Sequence, residues 1–321
     1  MNKTGVATLS VASNALLTLG KMTIGLMSGS VSIMSESIHS GIDLLASVIA
    51  LFAVRESGKP ADYRHAYGHG KIENVSGTVE AVLIFVAAIW IMQESIQKLR
   101  GGVEVENYTL GLAVMAVSTV SNFIISGQLM KVAKRTDSVA LEADALHLRT
   151  DVYTSAGVFL GLVLMRLTGW KMLDPLVAMG VALLIIKAAY DLTKESFMPL
   201  VDTALPVAEQ AIISSIINRH SHQFVEFHKL RTRKAGADRY IDLHLVVPKY
   251  ASVVKVHELC DQIEKEVNQE IPGTSVLIHA EPCANLGENC PLCEEKDECN
   301  YGSGEKFCRG TGQEQESNQE K

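Results

Sequence analysis

The chain has 321 residues, 47% of them hydrophobic and 20% charged, with a formal net charge of −7. Residues 1–200 hold 16 basic and 16 acidic side chains, so the whole acidic surplus lies in residues 201–321. A neutral apolar part followed by an acidic polar part excludes a single water-soluble globule, a fibrous protein and a fully disordered chain. The missing basic stripe argues against nucleic acid as a partner.

Taken in chain order, the first part predicts six membrane-spanning helices, at about 8–27, 31–54, 75–97, 109–130, 139–165 and 173–190. The fourth stretch carries no charged side chain, and at about 1.5 Å per residue it can cross a hydrocarbon core of roughly 30 Å. The fifth opens with Glu142, Asp144, His147, Arg149 and Asp151, and the second carries Glu36, His39 and Asp43. Two amphipathic surface helices would also show such residues. The apolar continuations Leu44–Val54 and Val158–Met165 favour spans whose polar face turns inward. The first stretch lacks a compact apolar core and a small-residue cleavage site, so no cleaved signal peptide is expected. With the N-terminus inside, cytosolic segments hold Lys3, Arg55, Lys59, Arg64, Lys71, Lys131, Lys134, Arg135 and Lys194, against Lys98, Arg100, Arg166 and Lys171 outside. That bias places both termini on the cytosolic side of the membrane, an inner or plasma membrane being expected.

After Pro199 the pattern changes. Residues 206–219 read as a helix, 224–234 and 239–247 as strands, 252–270 as a helix and Val276–Ile278 as a last strand. Ile241, Leu243, Leu245 and Val247 alternate as one buried face, while Val253, Val256, Cys260, Ile263 and Val267 keep helical spacing. The order predicts a small open α+β domain of ferredoxin or metallochaperone type. The expected organisation is therefore a six-span membrane domain over 1–200, an α+β domain over 201–282 and a Cys-rich acidic tail over 283–321.

His39 and Asp43 are four residues apart and share one face of the second span; His147 and Asp151 repeat the spacing in the fifth. Brought together, two imidazoles and two carboxylates make an N2O2 set suited to a tetrahedral divalent ion such as Zn²⁺. Two separate His–Asp hydrogen bonds would leave the same spacing. Ionisable groups at membrane depth are expensive, which favours the ion.

The chain resembles the cation diffusion facilitator family of divalent-metal/proton antiporters, from residue 1 to about 282. The resemblance is carried by Ser30-Val-Ser-Ile33 leading into His39-Ser-Gly-Ile-Asp43, by His147-Leu-Arg-Thr-Asp151, by Pro60-Ala-Asp-Tyr-Arg-His-Ala-Tyr-Gly-His-Gly-Lys71 and by Leu230-Arg-Thr-Arg233. It implies that His39, Asp43, His147 and Asp151 form the transport site and that Asp62, His65 and His69 bind a second metal in the loop after the second span. It further implies a regulatory binuclear site from His228, His244, His257, His279 and Glu281, where Glu281 stands in place of the family's usual Asp. Lys71 and Asp202 match a pair that interlocks protomers, so a homodimer is expected. His at position 39 goes with zinc-preferring members, and imidazole suits Zn²⁺ better than Mn²⁺ or Mg²⁺. His220 and His222 remain, and read as solvated loop residues.

Cys290, Cys293, Cys299 and Cys308 lie in the tail, with Cys290-Pro-Leu-Cys293 spaced as a metal knuckle. A cytosolic disulfide framework is not expected; a metal-capturing tail and an extended redox-sensitive one both fit. The function expected is proton-coupled efflux of divalent cations, Zn²⁺ first, with Fe²⁺, Cd²⁺ or Co²⁺ as alternatives. Zn²⁺ would be substrate and regulatory ligand, and no organic cofactor is expected. No G-x-x-x-x-G-K-[ST] motif offers ATP as the energy source, and no H-E-x-x-H motif suggests an enzyme. A membrane-anchored metal sensor is the competing class, and would leave the intramembrane His–Asp pairs without a purpose.

Overall fold

The computed structural model describes residues 2–28, 31–101, 109–168, 172–249 and 251–283. The chain divides into two compact units, the first built on Met1–Asp202 and the second beginning at Thr203.

Among the described residues the first unit is helical: α1 (Lys3–Ser28), α2 (Val31–Ser57), α3 (Lys71–Gly101), α4 (Thr109–Thr136), α5 (Val139–Thr168) and α6 (Leu173–Phe197), with a 3-10 turn at Met198–Val201. Lys71–Gln97 and Pro175–Val201 are long and apolar enough to cross a membrane. The other helices interrupt their apolar runs with polar groups or lie partly outside the described side chains. α5 packs against α2, α3, α4 and α6.

Two seams hold this unit together, and alanine fills much of both. In one, Val6, Ala7, Ala53, Val54, Leu129, Ala133, Ala140, Leu141, Ala145 and Leu148 join α1, α2, α4 and α5. In the other, Ala81, Ile84, Ala88, Ala143, Ile185, Ala189 and Leu192 join α3, α5 and α6. Small side chains let helices approach closely where lipid gives no hydrophobic drive to association. Gly77 shows the limit: a Cβ there would lie 2.9 Å from Val139 Cγ1 and 2.7 Å from Ser196 Oγ.

Several polar groups buried in this unit are paired across helices. Glu73, 1% exposed in the first turn of α3, suits the positive end of that helix. It accepts from Lys3 Nζ at 3.1 Å, Ser57 Oγ at 2.8 Å and Ser138 Oγ at 2.5 Å, tying α1, α2 and the α4–α5 turn. Asp137 makes that turn in the left-handed region, at φ 50°. Deeper in sequence, Ser47 Oγ donates to Asp144 Oδ1 at 3.0 Å and accepts from Asn14 Nδ2 at 2.5 Å.

The second unit runs α7 (Val207–Arg219), β1 (Glu226–Ala235), β2 (Asp238–Val247), α8 (Val253–Glu270), β3 (Thr274–Pro282). Gly236, at φ 61°, and Ala237 turn β1 into β2. β2 is central, and pairs in parallel with β3 from Arg239↔Thr274 to Val247↔Pro282, a pairing that needs a crossover such as α8. Ser252 caps α8 by accepting the Lys255 N–H. Ile213, Ile216 and Ile217 of α7, Ile241, Leu243 and Leu245 of β2, and Leu259, Ile263 and Val267 of α8 form the core, the alternation and spacing expected from sequence.

Three expectations change. β3 runs over 274–282 rather than 276–278, because its polar residues alternate with Val276, Ile278 and Ala280 instead of ending the strand. Cys283 belongs to the fold: it is buried, and its N–H donates to Val247 O at 2.9 Å. His220 is not a solvated loop residue. It is 9% exposed at the C-terminal end of α7, with Nε2 3.0 Å from Glu266 Oε1 on α8, beside Arg219 Nη2 at 2.8 Å from Glu266 Oε2.

The Arg219 hydrogen bond, helped by His220, holds the Glu266 carboxyl below the usual glutamate range. A carboxylate with a depressed folded pKa adds stability above its unfolded pKa and loses it as pH falls through the folded one. Glu266→Gln is therefore expected to speed amide exchange in α7 at pH 7. The difference from the parent should close as pH drops below about 4.3; a difference unchanged at pH 3 would remove the ion pair from the explanation.

Candidate metal centres

Three clusters of candidate ligands form among the described residues, and in each the ligand atoms lie within 4.8 Å of one another. The first joins α2 to α5. Asp43 and His147 are 6% and 5% exposed, and His147 Nε2 lies 3.1 Å from Asp43 Oδ1. Asp151, one turn after His147, completes the group. The four-residue spacing puts His147 and Asp151 on one face of α5, and the α2–α5 contact brings that face to Asp43. His39 lies on α2 one turn before Asp43, with its side chain outside those described.

Sequence reasoning missed Asn122. From α4 its Nδ2 donates to Asp151 Oδ2 at 3.2 Å, which orients that carboxylate. The signal was present as Ser118, Asn122 and Ser126, all buried, at four-residue intervals through the uncharged stretch 109–130 of that helix. Glu80 and Asp144, both fully buried, were likewise not singled out as site residues.

The second cluster is Asp62, His65 and His69, in the loop between α2 and α3. Asp62 Oδ1 accepts the backbone N–H of Arg64 at 2.8 Å and of His65 at 2.7 Å, an Asx turn. The His65 N–H holds the Asp62 carboxyl below the usual aspartate range. His65 Nδ1 is 3.2 Å from Asp62 Oδ1, His69 Nε2 is 3.5 Å from Oδ2, and the two rings are 4.3 Å apart. Gly68, at φ 80°, makes the turn that returns His69 to the cluster.

The third lies across the three strands: His228 on β1, His244 on β2 and Glu281 on β3. His244 Nδ1 is 2.6 Å from Glu281 Oε1, and His228 Nε2 is 3.2 Å from Oε2, so the carboxylate bridges both imidazoles. The hydrogen bond with His244 holds the Glu281 carboxyl below the glutamate range. His279, the strand partner of His244, meets its ring edge-on with centroids 4.8 Å apart, and its Nε2 is 3.8 Å from Glu281 Oε1. Within one chain His257 lies outside this cluster, exposed on α8 and 3.9 Å from Asp261.

Lys71 Nζ and Asp202 Oδ1 form a half-exposed pair within the chain, 2.9 Å apart. Cys290, Cys293, Cys299 and Cys308 lie outside the described residues.

Metal-ligand chemistry at these clusters agrees with what the chain is similar to. The profile of the cation efflux transmembrane domain matches residues 7–201, and that of the cation efflux protein cytoplasmic domain matches residues 205–283. An uncharacterized transporter of Synechocystis sp. is 36% identical over 277 residues, 86% of this chain and 89% of that protein. The cation-efflux pump FieF of Salmonella typhimurium is 32% identical over 285 residues, 88% of this chain and 93% of that protein. A solved structure described as showing the mode of action of a putative zinc transporter, CzrB, is 34% identical; it covers 25% of this chain and 99% of its own, with a TM-score of 0.24. Two domain profiles that together span nearly all of the described chain identify it as a member of the cation efflux, or cation diffusion facilitator, family: a membrane transporter of metal cations and not an enzyme.

Proposed function

We propose that the protein exports Zn²⁺ from the cytosol in exchange for protons, through alternating exposure of a site made by Asp43, His147, Asp151 and His39. The observation that carries this reading is the buried cluster of Asp43, His147 and Asp151 between α2 and α5. Two carboxylates balance the charge of one divalent cation, so the loaded site can sit in an apolar bundle at no net charge. The mixed nitrogen and oxygen donors favour Zn²⁺ over Mn²⁺ or Mg²⁺.

Coupling follows from protonation. An ion binds only ionised Asp and neutral His, so binding releases protons and protons release the ion. With the site open outward, protons entering from the more acidic side discharge the cation, and the protonated site returns inward. Alternating access then moves metal against its gradient without ATP.

In this reading α1 to α6 all cross the inner or plasma membrane, residues 1–200 transport, and both termini are cytosolic. Residues 201–282 form a dimerisation domain, consistent with the match to a cation efflux cytoplasmic domain. The sheet cluster of His228, His244, His279 and Glu281 binds regulatory metal there, and Asp62, His65 and His69 bind metal at the cytosolic mouth. Lys71 and Asp202 secure the dimer at the membrane surface. The tail captures metal through Cys290, Cys293, Cys299 and Cys308. Metal that binds one conformation better than the other biases the transporter towards it.

In proteoliposomes with an imposed pH gradient, Asp151→Ala should abolish zinc flux; undiminished flux would reject the site. Asn122→Ala leaves all ligands in place but frees the Asp151 carboxylate, and is expected to raise the KM for zinc about tenfold or more, as loss of an outer hydrogen bond does at metal sites. An unchanged KM would show that Asn122 does not orient the ligand. In competition flux, Cd²⁺ and Co²⁺ should inhibit zinc entry and Mn²⁺ least. Strongest uptake of Fe²⁺ would move the substrate assignment while leaving the antiport mechanism.

A further inference from the structure

We propose that Glu73 is a clasp at the cytosolic end of the helical unit: it holds α1, α2 and the α4–α5 turn against α3, and must open before an ion can enter from the cytosol. This rests on the alternating-access reading of the site at Asp43, His147 and Asp151.

Glu73 stands in the first turn of α3 and is 1% exposed. Both of its carboxylate oxygens are taken. Lys3 Nζ and Ser57 Oγ donate to Oε1 at 3.1 and 2.8 Å, and Ser138 Oγ donates to Oε2 at 2.5 Å. Lys3 opens α1, Ser57 closes α2 and Ser138 lies between α4 and α5, so every donor comes from a helix end. Those are the ends that the excess of Lys and Arg assigns to the cytosol.

Between the clasp and the site the packing is closed. Along α5, nine residues separate Ser138 from His147, about 14 Å of helix. Ala140, Leu141 and Ala145 fill that interval. They share a seam with Val6 and Ala7 just after Lys3, with Ala53 and Val54 just before Ser57, and with Ala133 near the end of α4; each is 3% exposed or less. An ion coming from the cytosol has to part these helices, and the clasp ties their ends together.

Its chemistry suits a contact that breaks and reforms. Charge-assisted bonds to a carboxylate are among the strong ones while water is kept out. When that end opens, the carboxylate, the ammonium and both hydroxyls exchange their bonds for bonds to water, so the net cost of opening is far smaller than the bonds themselves. Apparent affinity at one face is reduced by the fraction of molecules open to that face. Weakening the clasp therefore tightens apparent binding on the cytosolic side.

The test is the KM for zinc exchange in sealed vesicles of fixed orientation, read separately at the cytosolic and the outer face. Glu73→Gln keeps the size of the side chain and removes its charge. It is expected to lower the cytosolic KM about tenfold and not to lower the outer KM. Lys3→Met, a milder change at a side chain 28% exposed, should shift the cytosolic KM the same way and serves where Glu73→Gln does not fold. Lys3→Arg should keep the parental value. A cytosolic KM unchanged or raised in Glu73→Gln and Lys3→Met overturns the proposal. So does an equal fall at both faces, which a general loosening of the bundle would give. Undiminished flux in Asp151→Ala overturns the transport-site reading and this proposal with it, whereas the KM outcomes overturn the proposal alone.

Discussion

An ionised side chain inside an apolar helical bundle has to meet an opposite charge, a set of donors or a bound ion, and the first unit is arranged around that requirement. Asp43 meets His147, Asp151 meets Asn122, Asp144 meets Ser47, and Glu73 gathers Lys3, Ser57 and Ser138. Each of these contacts joins different helices. The bonds that satisfy buried polarity are therefore also the bonds that fix which helix faces which. In lipid, where apolar faces gain little by pairing, this gives polar side chains a share in specifying the fold. Removing one partner leaves the other as a buried orphan, so the network is cooperative in failure as well as in assembly.

The three clusters differ in their exposure. Asp43 and His147 are almost fully enclosed, so charge brought there is felt strongly and must be balanced. Asp62 and Glu281 are more open, and hydrogen bonds rather than burial dominate their ionisation. The His65 N–H at one and the His244 imidazole at the other hold each carboxyl ionised to lower pH than usual. Glu281 is the residue where the family's usual pattern has Asp, and its two oxygens still reach two imidazoles on two different strands. The extra methylene is absorbed within the geometry of the sheet.

Much of this could be read from the chain alone because it depends on spacing. The His–Asp pairs at four residues, the alternation from Ile241 to Val247 and the stripe through Ile263 and Val267 each follow from one element's own period. What spacing does not contain is which face of one helix meets which face of another. Asn122 looked like one polar residue in an apolar helix until α4 was placed beside Asp151, and Lys21 until α1 was placed beside Ser40. His220 looked like part of a polar loop because its partner, Glu266, lies 46 residues away on another helix. His257 was placed among the ligands by family resemblance rather than by its own spacing, and within one chain it lies exposed on α8.

α5 is common to both alanine seams, with Ala140 and Ala145 in one and Ala143 in the other, and it carries His147 and Asp151. A surface of methyl groups has shallow relief. Where leucines interlock, sliding one rod past another forces side chains through eclipsed rotamers; an alanine has no rotamer to change. At those alanine contacts a small shear of one helix along another meets fewer rotamer barriers than at Leu141 and Leu148, where α5 interlocks with its neighbours.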